Sequence, residues 1–414
     1  MSFSLHTLNF PDDRIVAIDG ARHVSWGDFR AMIAARKRAS SPRQRVLLSN
    51  ASPLDFAADL LAILADDHVA VIPPNFQSQT LAAFTNFPPP ADVPPQTIEL
   101  YTSGSSGEPK CVRKTLRQLE AECAVLERCW GSVAGSATVI ATTPHHHIYG
   151  LLFRLLWPLL AGRPFDNATI AEPTAFTERL HAAEAAVLVS SPAQLSRLPQ
   201  LLDLGALARK PLLVFSSGGP LDADSAARYR EAWGAAPIEV FGSTESGGIA
   251  WRRQDQGLHW TPLPAVRLTT DTDRALLVRS PFLPDDAPLR MEDSVDFEAD
   301  GTFLLRGRLD RIVKIEEKRL SLPEMEVWLA GHPGVSAAAV APLTLSGRTV
   351  VGAVIALKAT ADRRPIIESL REHLRQRFDN VLLPRRWRFV DALPFNERGK
   401  LAQAEIIRLL EAAP

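Results

Sequence analysis

Short apolar runs alternate with segments of helical apolar spacing over most of the chain. Within the first hundred residues, strand-like runs at 45–48 and 68–72 flank a helix-like segment at 53–65. Strands, polar loops and helices in this alternation predict a largely parallel α/β sheet, which binds ligands at the carboxyl ends of its strands. Further strand-like runs lie at 97–100 and 137–142, and three apolar ones, each followed by a loop of small residues, lie at 185–189, 212–215 and 238–241.

The loop after the run at 97–100 has the composition of a phosphate-binding segment. Residues 101–110 read Tyr-Thr-Ser-Gly-Ser-Ser-Gly-Glu-Pro-Lys, and a helix-like run follows at 116–130. Glycine allows close approach of the backbone to a ligand, and successive N–H groups with a lysine counter-charge hold anionic oxygens. The spacing is not that of a Walker A loop, and the plainer alternative is a Ser/Gly turn. The candidate phosphate ligands are Thr102, Ser103, Gly104, Ser105, Ser106, Gly107 and Lys110.

Loops after two later strands extend the candidate nucleotide site. Gly218 and Gly219 follow the run at 212–215, and residues 241–248 read Phe-Gly-Ser-Thr-Glu-Ser-Gly-Gly. Glu245, the only acid in that second loop, is a candidate Mg²⁺ ligand because carboxylate oxygens bind Mg²⁺ beside phosphates. The alternative for Glu245 is an exposed carboxylate in a turn. The remaining members of this candidate set are Phe241, Gly242, Ser243 and Thr244.

Three successive histidines, 145–147, follow the predicted strand at 137–142. Adjacent side chains point in different directions, so three histidines in a row rarely bind one metal ion. The sequence therefore favours a polar pocket lining over a metal centre. The apolar run at 151–161 contains Arg154 and Pro158 and is shorter than the ~20 residues of a membrane span, so it predicts a buried helix.

The pattern becomes shorter and richer in strand-like runs beyond residue 267, and a charged segment at 307–314 reads as a linker. We therefore predict an N-terminal domain over residues 1–309 and a C-terminal domain over residues 310–414, with the boundary at Asp310. The elements predicted in the second domain are a helix at 322–329, strands at 335–340 and 350–357, and a helix at 365–377.

Composition indicates a globular enzyme that uses lysine sparingly. The 414 residues suffice for two or three domains, and a net charge of −1 with 46% apolar residues argues against a disordered chain or a nucleic-acid-binding protein. Only 8 of the 46 basic residues are lysines, and Lys110, Lys314 and Lys400 fall within the motifs. Lys400 follows a glycine in a turn before the last helix, where a surface lysine is the alternative interpretation.

The cysteines and the N-terminus predict a cytoplasmic protein. The three cysteines lack metal-ligand spacing, and their odd number favours reduced thiols. The N-terminus has no basic stretch followed by an apolar core, so we expect no signal peptide.

Together the motifs resemble those of the adenylate-forming superfamily, which comprises acyl-CoA synthetases, non-ribosomal peptide adenylation domains and luciferases. Five motifs occur in the family's order, at 101–110, 144–150, 217–221 with 241–245, Asp293 and 307–314. The resemblance implies a large N-terminal AMP-binding domain with a short β-rich subdomain, followed by a small mobile α+β C-terminal domain.

The resemblance also assigns roles to individual residues. It implies that Asp293 and Arg308 bind the ribose of ATP and that Asp310 is the hinge between the domains. The residues implied to be catalytic are His147 on the substrate side, Thr244, Glu245 as the Mg²⁺ ligand, and Lys400.

The reaction implied by the resemblance has two steps. A carboxylate first attacks the α-phosphate of ATP to form an acyl-adenylate and pyrophosphate, with Lys400 bridging the two anions. The C-terminal domain then rotates about Asp310, and a phosphopantetheine thiol of CoA or of an acyl carrier protein takes the acyl group.

Two departures from the family pattern affect the expected substrate and acceptor. Glu317 stands where relatives commonly have a glycine in the loop that forms the thiol tunnel, and the phosphate loop begins earlier than in most acyl-CoA synthetases. Compact chains of this kind resemble the aryl-polyene and xanthomonadin-type ligases, which load an aryl acid such as a hydroxybenzoate onto an acyl carrier protein. An arginine-rich C-terminal region suits an acidic carrier, although a solvated basic face is the alternative.

Three other functions stay open on the sequence. A medium-chain fatty acid could replace the aryl acid. An amino acid is a weaker candidate, because no aspartate lies between residues 144 and 160 to bind the substrate amine. A non-catalytic nucleotide-binding relative is disfavoured because Lys400, Glu245 and Asp293 are all present.

Overall fold

The computed structural model describes residues 5, 9–37, 42–84, 87–88, 90, 93–103, 109–316, 318–345, 348–358, 363–394, 401 and 403–412. The chain divides into two units, Met1–Leu268 with Val278–Leu289, and Thr269–Leu277 with Arg290–Pro414. The predicted domains, residues 1–309 and 310–414 with the hinge at Asp310, stay a prediction.

The first unit contains most of the strands and helices. Its strands are β1 (Ile15–Asp19), β2 (Arg22–Ser25), β3 (Arg45–Leu47), β4 (Val69–Ile72), β5 (Thr97–Ser103), β6 (Pro109–Thr115), β7 (Thr138–Ala141), β8 (Phe165–Thr169), β9 (Ala186–Ser190), β10 (Leu213–Ser217), β11 (Ile238–Ser243), β12 (Gly247–Arg252) and β13 (Thr261–Pro262). Its helices are α1 (Trp26–Arg36), α2 (Pro53–Ala65), α3 (Ser78–Ala82), α4 (Leu116–Ala134), α5 (Ile148–Gly150), α6 (Trp157–Ala161), α7 (Pro173–Ala182), α8 (Pro192–Leu201) and α9 (Ala223–Trp233), with a π-helical segment at Leu151–Leu156.

Two sheets organise this unit. The larger has the order β13-β12-β11-β10-β9-β7-β8-β1-β2, and the smaller has the order β3-β4-β5-β6. Strands β7, β9, β10 and β11 pair in parallel, so their carboxyl ends lie at one edge of the larger sheet. The predicted α/β class with polar loops at one sheet edge is therefore confirmed.

The candidate phosphate loop connects β5 and β6, which pair antiparallel. Strand β6 was not predicted, because the pattern indicated only a helix, from residue 116, after the loop. Thr115 ends β6 and begins α4, because its side chain and that of Gln118 form a reciprocal capping box. The loop is thus the connection of a hairpin, and α4 follows one strand later.

Aromatic packing between the π-helical segment, α6 and the larger sheet forms part of the core beneath these loops. Trp157 and Phe153 both contact the ring of Phe215, at centroid distances of 5.8 and 5.0 Å. The segment predicted to be a buried helix is buried, and none of the helices in the described part of the chain combines the length and apolar character that a bilayer crossing needs.

The second unit begins within a four-stranded sheet of order β14-β15-β16-β17, comprising β14 (Arg267–Thr270), β15 (Ala275–Arg279), β16 (Leu289–Phe297) and β17 (Phe303–Arg308). A 3₁₀ turn at Leu309–Arg311 leads to a hairpin of β18 (Ile312–Ile315) and β19 (Lys318–Ser321). The remaining elements are α10 (Leu322–Ala330), β20 (Val335–Leu345), β21 (Arg348–Leu357), α11 (Arg363–Arg375), β22 (Arg386–Val390) and α12 (Gln403–Glu411).

Arg311 anchors the 3₁₀ turn to the body of the second unit. Its guanidinium donates two hydrogen bonds to the Glu326 carboxylate on α10, at 2.9 and 2.7 Å. Glu326 in turn accepts the backbone N–H of Val340 on β20, at 2.9 Å. The segment expected to be a linker is therefore regular structure bonded to a helix and a strand.

Candidate active site

Hydroxyl groups connect the strand ends at the edge of the larger sheet. Thr142 Oγ1 and Ser190 Oγ lie 2.7 Å apart, which links the ends of β7 and β9. Ser217 at the end of β10 donates its hydroxyl to the carbonyl of Val240 on β11, at 2.9 Å. Gly218 has a φ of +94° and open space around its Cα, so a ligand can approach its backbone closely.

The loop at 243–248 is a closed turn that presents Thr244 and Glu245. Ser243 N–H donates to Ser246 Oγ at 2.9 Å, and Ser246 N–H donates to Ser243 Oγ at 3.1 Å. A Cβ on Gly242 would lie 2.0 Å from the carbonyl oxygen of Gly247, so glycine is required there. The turn is therefore held by its own side chains and by close backbone packing.

Lys110 and Glu245 meet although they are far apart in sequence. Lys110 Nζ donates to Glu245 Oε1 at 2.6 Å, and both side chains are at least one-third exposed. Burial alone would raise the pKa of the Glu245 carboxyl, but the Lys110 hydrogen bond and charge and neighbouring donors outweigh it and lower the pKa. A charged, partly exposed carboxylate fits a Mg²⁺ ligand, and the ammonium beside it fits a phosphate.

Several predicted site residues are only partly described or not described. Thr102 Oγ1 donates across the hairpin to the Lys110 carbonyl at 3.4 Å, Ser103 is the last residue of β5, and Asp310 is the middle residue of the 3₁₀ turn. Gly104, Ser105, Ser106, Gly107, Glu317 and Lys400 lie outside the described residues.

The three histidines have different surroundings. His145 is buried, whereas His146 and His147 are half-buried, with their rings 4.2 Å apart between centroids. Phe76 packs 4.4 Å from the His146 ring. Within the described part of the chain, His, Cys, Asp and Glu side chains form no group of three suited to a metal ion. The exposed side of the segment is an aromatic surface next to α5.

His145 packs against Phe56 at a centroid distance of 4.6 Å, and its Nε2 lies 2.9 Å from the carbonyl oxygen of Asn50. Because a carbonyl only accepts, Nε2 carries the proton and Nδ1 is bare. Burial, with a smaller contribution from Arg154, lowers the pKa of His145 from 6.5 to about 3. Buried Arg154 donates to the carbonyl of Thr143 at 2.9 Å and supports the start of this segment.

Asp293 and Arg308 face each other within the second unit. They are directly opposite in the antiparallel register of β16 and β17, and Arg308 lies 3.7 Å from the Asp293 carboxylate. Gly307, next to Arg308, has a φ of +124°, which favours glycine. The structure thus places the two predicted ribose ligands together, and their binding of ribose stays a prediction.

Two charged residues beneath the site were missed in the sequence. Lys114 on β6 and Glu122 on α4 are both buried, at 2% and 1% exposure. Burial lowers the pKa of Lys114 and raises that of Glu122 to about 7, and in each case the opposite charge acts against this effect. A signal was available for Glu122, since it lies on the apolar face of α4 with Leu119 and Leu126.

The chain matches two families over separate ranges. Residues 79–276 match the family described as AMP-binding enzyme, and residues 324–400 match the AMP-binding enzyme C-terminal domain. The 4-coumarate–CoA ligase of Rhodobacter capsulatus is 31% identical over 72% of this chain and 73% of its own length. The 4-coumarate–CoA ligase of Cereibacter sphaeroides is 29% identical over 75% of this chain and 71% of its own.

Solved structures agree in fold. ATP-bound MatB from Rhodopseudomonas palustris gives a TM-score of 0.80 at 19% identity, covering 98% of this chain and 97% of that chain. A benzoate CoA ligase from Burkholderia xenovorans gives 0.76 at 19% identity, covering 96% and 97%. The chain belongs to the AMP-binding enzymes of the adenylate-forming superfamily. It is an acid–thiol ligase that converts ATP to AMP and pyrophosphate through an acyl-adenylate.

Proposed function

We propose that this enzyme activates an aryl acid, such as a hydroxybenzoate, with ATP and Mg²⁺ and transfers the acyl group to a phosphopantetheine thiol of an acyl carrier protein or CoA. The contact between Lys110 and Glu245 carries the proposal. It joins the end of the phosphate loop to the only acid of the 243–248 turn, at the ligand-binding edge of the sheet.

In the first step an oxygen of the substrate carboxylate bonds to the α-phosphorus, and the bond to the β-phosphate oxygen breaks with release of pyrophosphate. Both reactants are anions, so the site must supply positive charge. Lys110 would neutralise the phosphates, and Lys400 would bridge the carboxylate and the α-phosphate. Glu245 would hold Mg²⁺, which neutralises phosphate charge when bound.

In the second step the thiolate sulfur bonds to the acyl carbon, and the bond from that carbon to the AMP oxygen breaks. Lys400 has no part in this step, so its domain can turn away. Rotation at Asp310 would exchange the face that Lys400 occupies for one that admits the thiol.

An aryl acid is supported by the surface at the histidine segment. Phe76, His146 and His147 form a run of adjacent rings, and planar acids pack well on such rings. Two relatives over most of the chain are named for 4-coumarate, an aryl acid. A fatty acid is the alternative, and it would gain little from this ring surface.

The thiol acceptor is either CoA or an acyl carrier protein. The relatives named above are CoA ligases. A polar pocket of the second unit is lined by Arg371, Arg375 and Arg385, which suits an acidic carrier protein. We therefore propose the carrier as the main acceptor and CoA as the comparison.

ATP–pyrophosphate exchange with Mg²⁺ tests the activation step across hydroxybenzoates, cinnamates, fatty acids and amino acids. We expect exchange with an aryl acid. Thioester formation is then compared with CoA and with phosphopantetheinylated carrier proteins. Exchange only with fatty acids would replace the aryl proposal. Transfer to CoA alone would remove the carrier, and silence across the panel would contradict the substrate class.

A further inference from the structure

Lys114 is hydrogen-bonded to the backbone of the 243–248 turn at Glu245. Its Nζ donates to the backbone carbonyl of Glu245 at 2.5 Å and to the carbonyl of Phe282 at 2.8 Å. These partners lie 131 and 168 residues away in sequence, so one ammonium joins three distant parts of the chain. Lys114 is 2% exposed.

Glu122 holds the other end of the same turn. Its Oε1 accepts the backbone N–H of Gly248 at 2.6 Å. Gly247 has a φ of +71°, and a Cβ there would lie 2.4 Å from Glu122 Oε2. A Cβ at Gly247 would therefore displace the Glu122 carboxyl, and the positive φ also favours glycine at this position.

The burial of these two ionisable groups is costly. Removing a cation and an anion from water costs several kcal/mol each, and apolar residues of similar volume often give equal or better stability. The Lys114 ammonium donates to two backbone carbonyls, and the Glu122 carboxyl accepts a backbone N–H. The arrangement suits control of backbone position better than it suits stability.

We propose that Lys114 and Glu122 are positioning residues that hold the 243–248 turn from both ends and thereby aim Thr244 and Glu245 at the nucleotide. This inference rests on the proposed function of the site. Both residues would act through the backbone of the turn and not by contact with the substrate. Lys114 fixes the backbone at Glu245, and Glu122 fixes the backbone three residues later.

The test compares the two half-reactions of the full-length enzyme. Lys114→Met removes the ammonium and keeps most of the volume. Loss of residues that orient metal ligands costs roughly 10- to 100-fold in activity, so kcat/KM for ATP in pyrophosphate exchange should fall by about that factor. KM for the acid should stay unchanged, and thioester formation from supplied acyl-adenylate should stay close to wild type, because that step needs no polyphosphate.

Arg117→Met is the matched control, since Arg117 is an exposed cation on α4 only three residues away. Glu122→Gln is the second variant, and it allows the same test if Lys114→Met does not fold. The amide still accepts a hydrogen bond from Gly248 but cannot carry a negative charge. We therefore expect kcat/KM for ATP in pyrophosphate exchange to fall about fivefold, and thioester formation from supplied acyl-adenylate to stay close to wild type. Melting temperature is measured for every variant.

The outcomes separate the two proposals. Variants that exchange pyrophosphate like wild type, or that lose both half-reactions equally while folded, overturn the positioning role and leave the proposed function intact. Wild type without exchange for any acid overturns both. Loss confined to exchange, in whichever of the two variants folds, supports the positioning role.

Discussion

Acidification should destabilise the first unit through His145. The unfolded chain binds a proton at this imidazole below pH 6.5, whereas the folded chain does so only near pH 3. The unfolded state therefore gains protons first, and stability that is fully present above pH 6.5 is lost as the pH falls. At pH 5 the loss amounts to about 2 kcal/mol, since each pH unit between the two pKa values is worth about 1.4 kcal/mol.

The perturbation is His145→Gln, whose amide can still donate to the Asn50 carbonyl. Loss of the ring contact with Phe56 should cost about 1 kcal/mol at neutral pH. The variant lacks the titrating group. Between pH 7.5 and pH 5, its free energy of unfolding should therefore fall by about 2 kcal/mol less than that of wild type. His181→Gln is the control, because it removes an exposed histidine on α7 and leaves the buried one in place.

Urea unfolding at each pH measures this difference. A chain of two units need not unfold in one transition, so the probe must report one unit. Of the eight tryptophans, Trp328 and Trp387 alone lie in the second unit, and replacing both by phenylalanine leaves fluorescence from the first unit only. A stability difference between wild type and His145→Gln that is the same at both pH values would refute the buried neutral imidazole.

Three further predictions concern the reaction and the turn. Lys400→Ala should abolish pyrophosphate exchange but still permit thioester formation from supplied acyl-adenylate; equal loss of both would contradict the assigned role. Asp310→Pro should spare exchange and block thioester formation, and an unaffected second step would argue against the hinge. Gly242→Ala should lower the unfolding free energy by about 3 kcal/mol, because its methyl group would overlap the Gly247 carbonyl; a melting temperature equal to wild type would show that the turn can relax.

The sheet edge could be predicted because strand and loop composition are local signals. The run at 238–241 is apolar apart from Glu239, and small or polar residues follow it. The structure has β11 at Ile238–Ser243, and the turn follows directly. The helix at Pro53–Ala65 has the predicted bounds, since Ser52 caps its first turn and Pro53 follows. Each of these features is determined within a few residues.

The interior charges could not be predicted in the same way. Lys114 reads as a polar position of a half-exposed strand, and its two carbonyl partners come from segments more than a hundred residues away. The β1–β2 hairpin was also missed, because its strands are short and β2 is mostly polar. Contacts of this kind depend on the assembled sheets, which the local pattern does not contain.

The hydrogen bonds between Arg311 and Glu326 affect how the chain can move at the 3₁₀ turn. Two guanidinium bonds and the Glu326–Val340 bond make the chain leaving the 3₁₀ turn continuous with α10 and β20. A torsional change at Asp310 would then not be absorbed by the following backbone. A rotation about the backbone dihedral angles of this residue would therefore move α10 and β20 together as one body. The extent of that movement would be determined at a single residue.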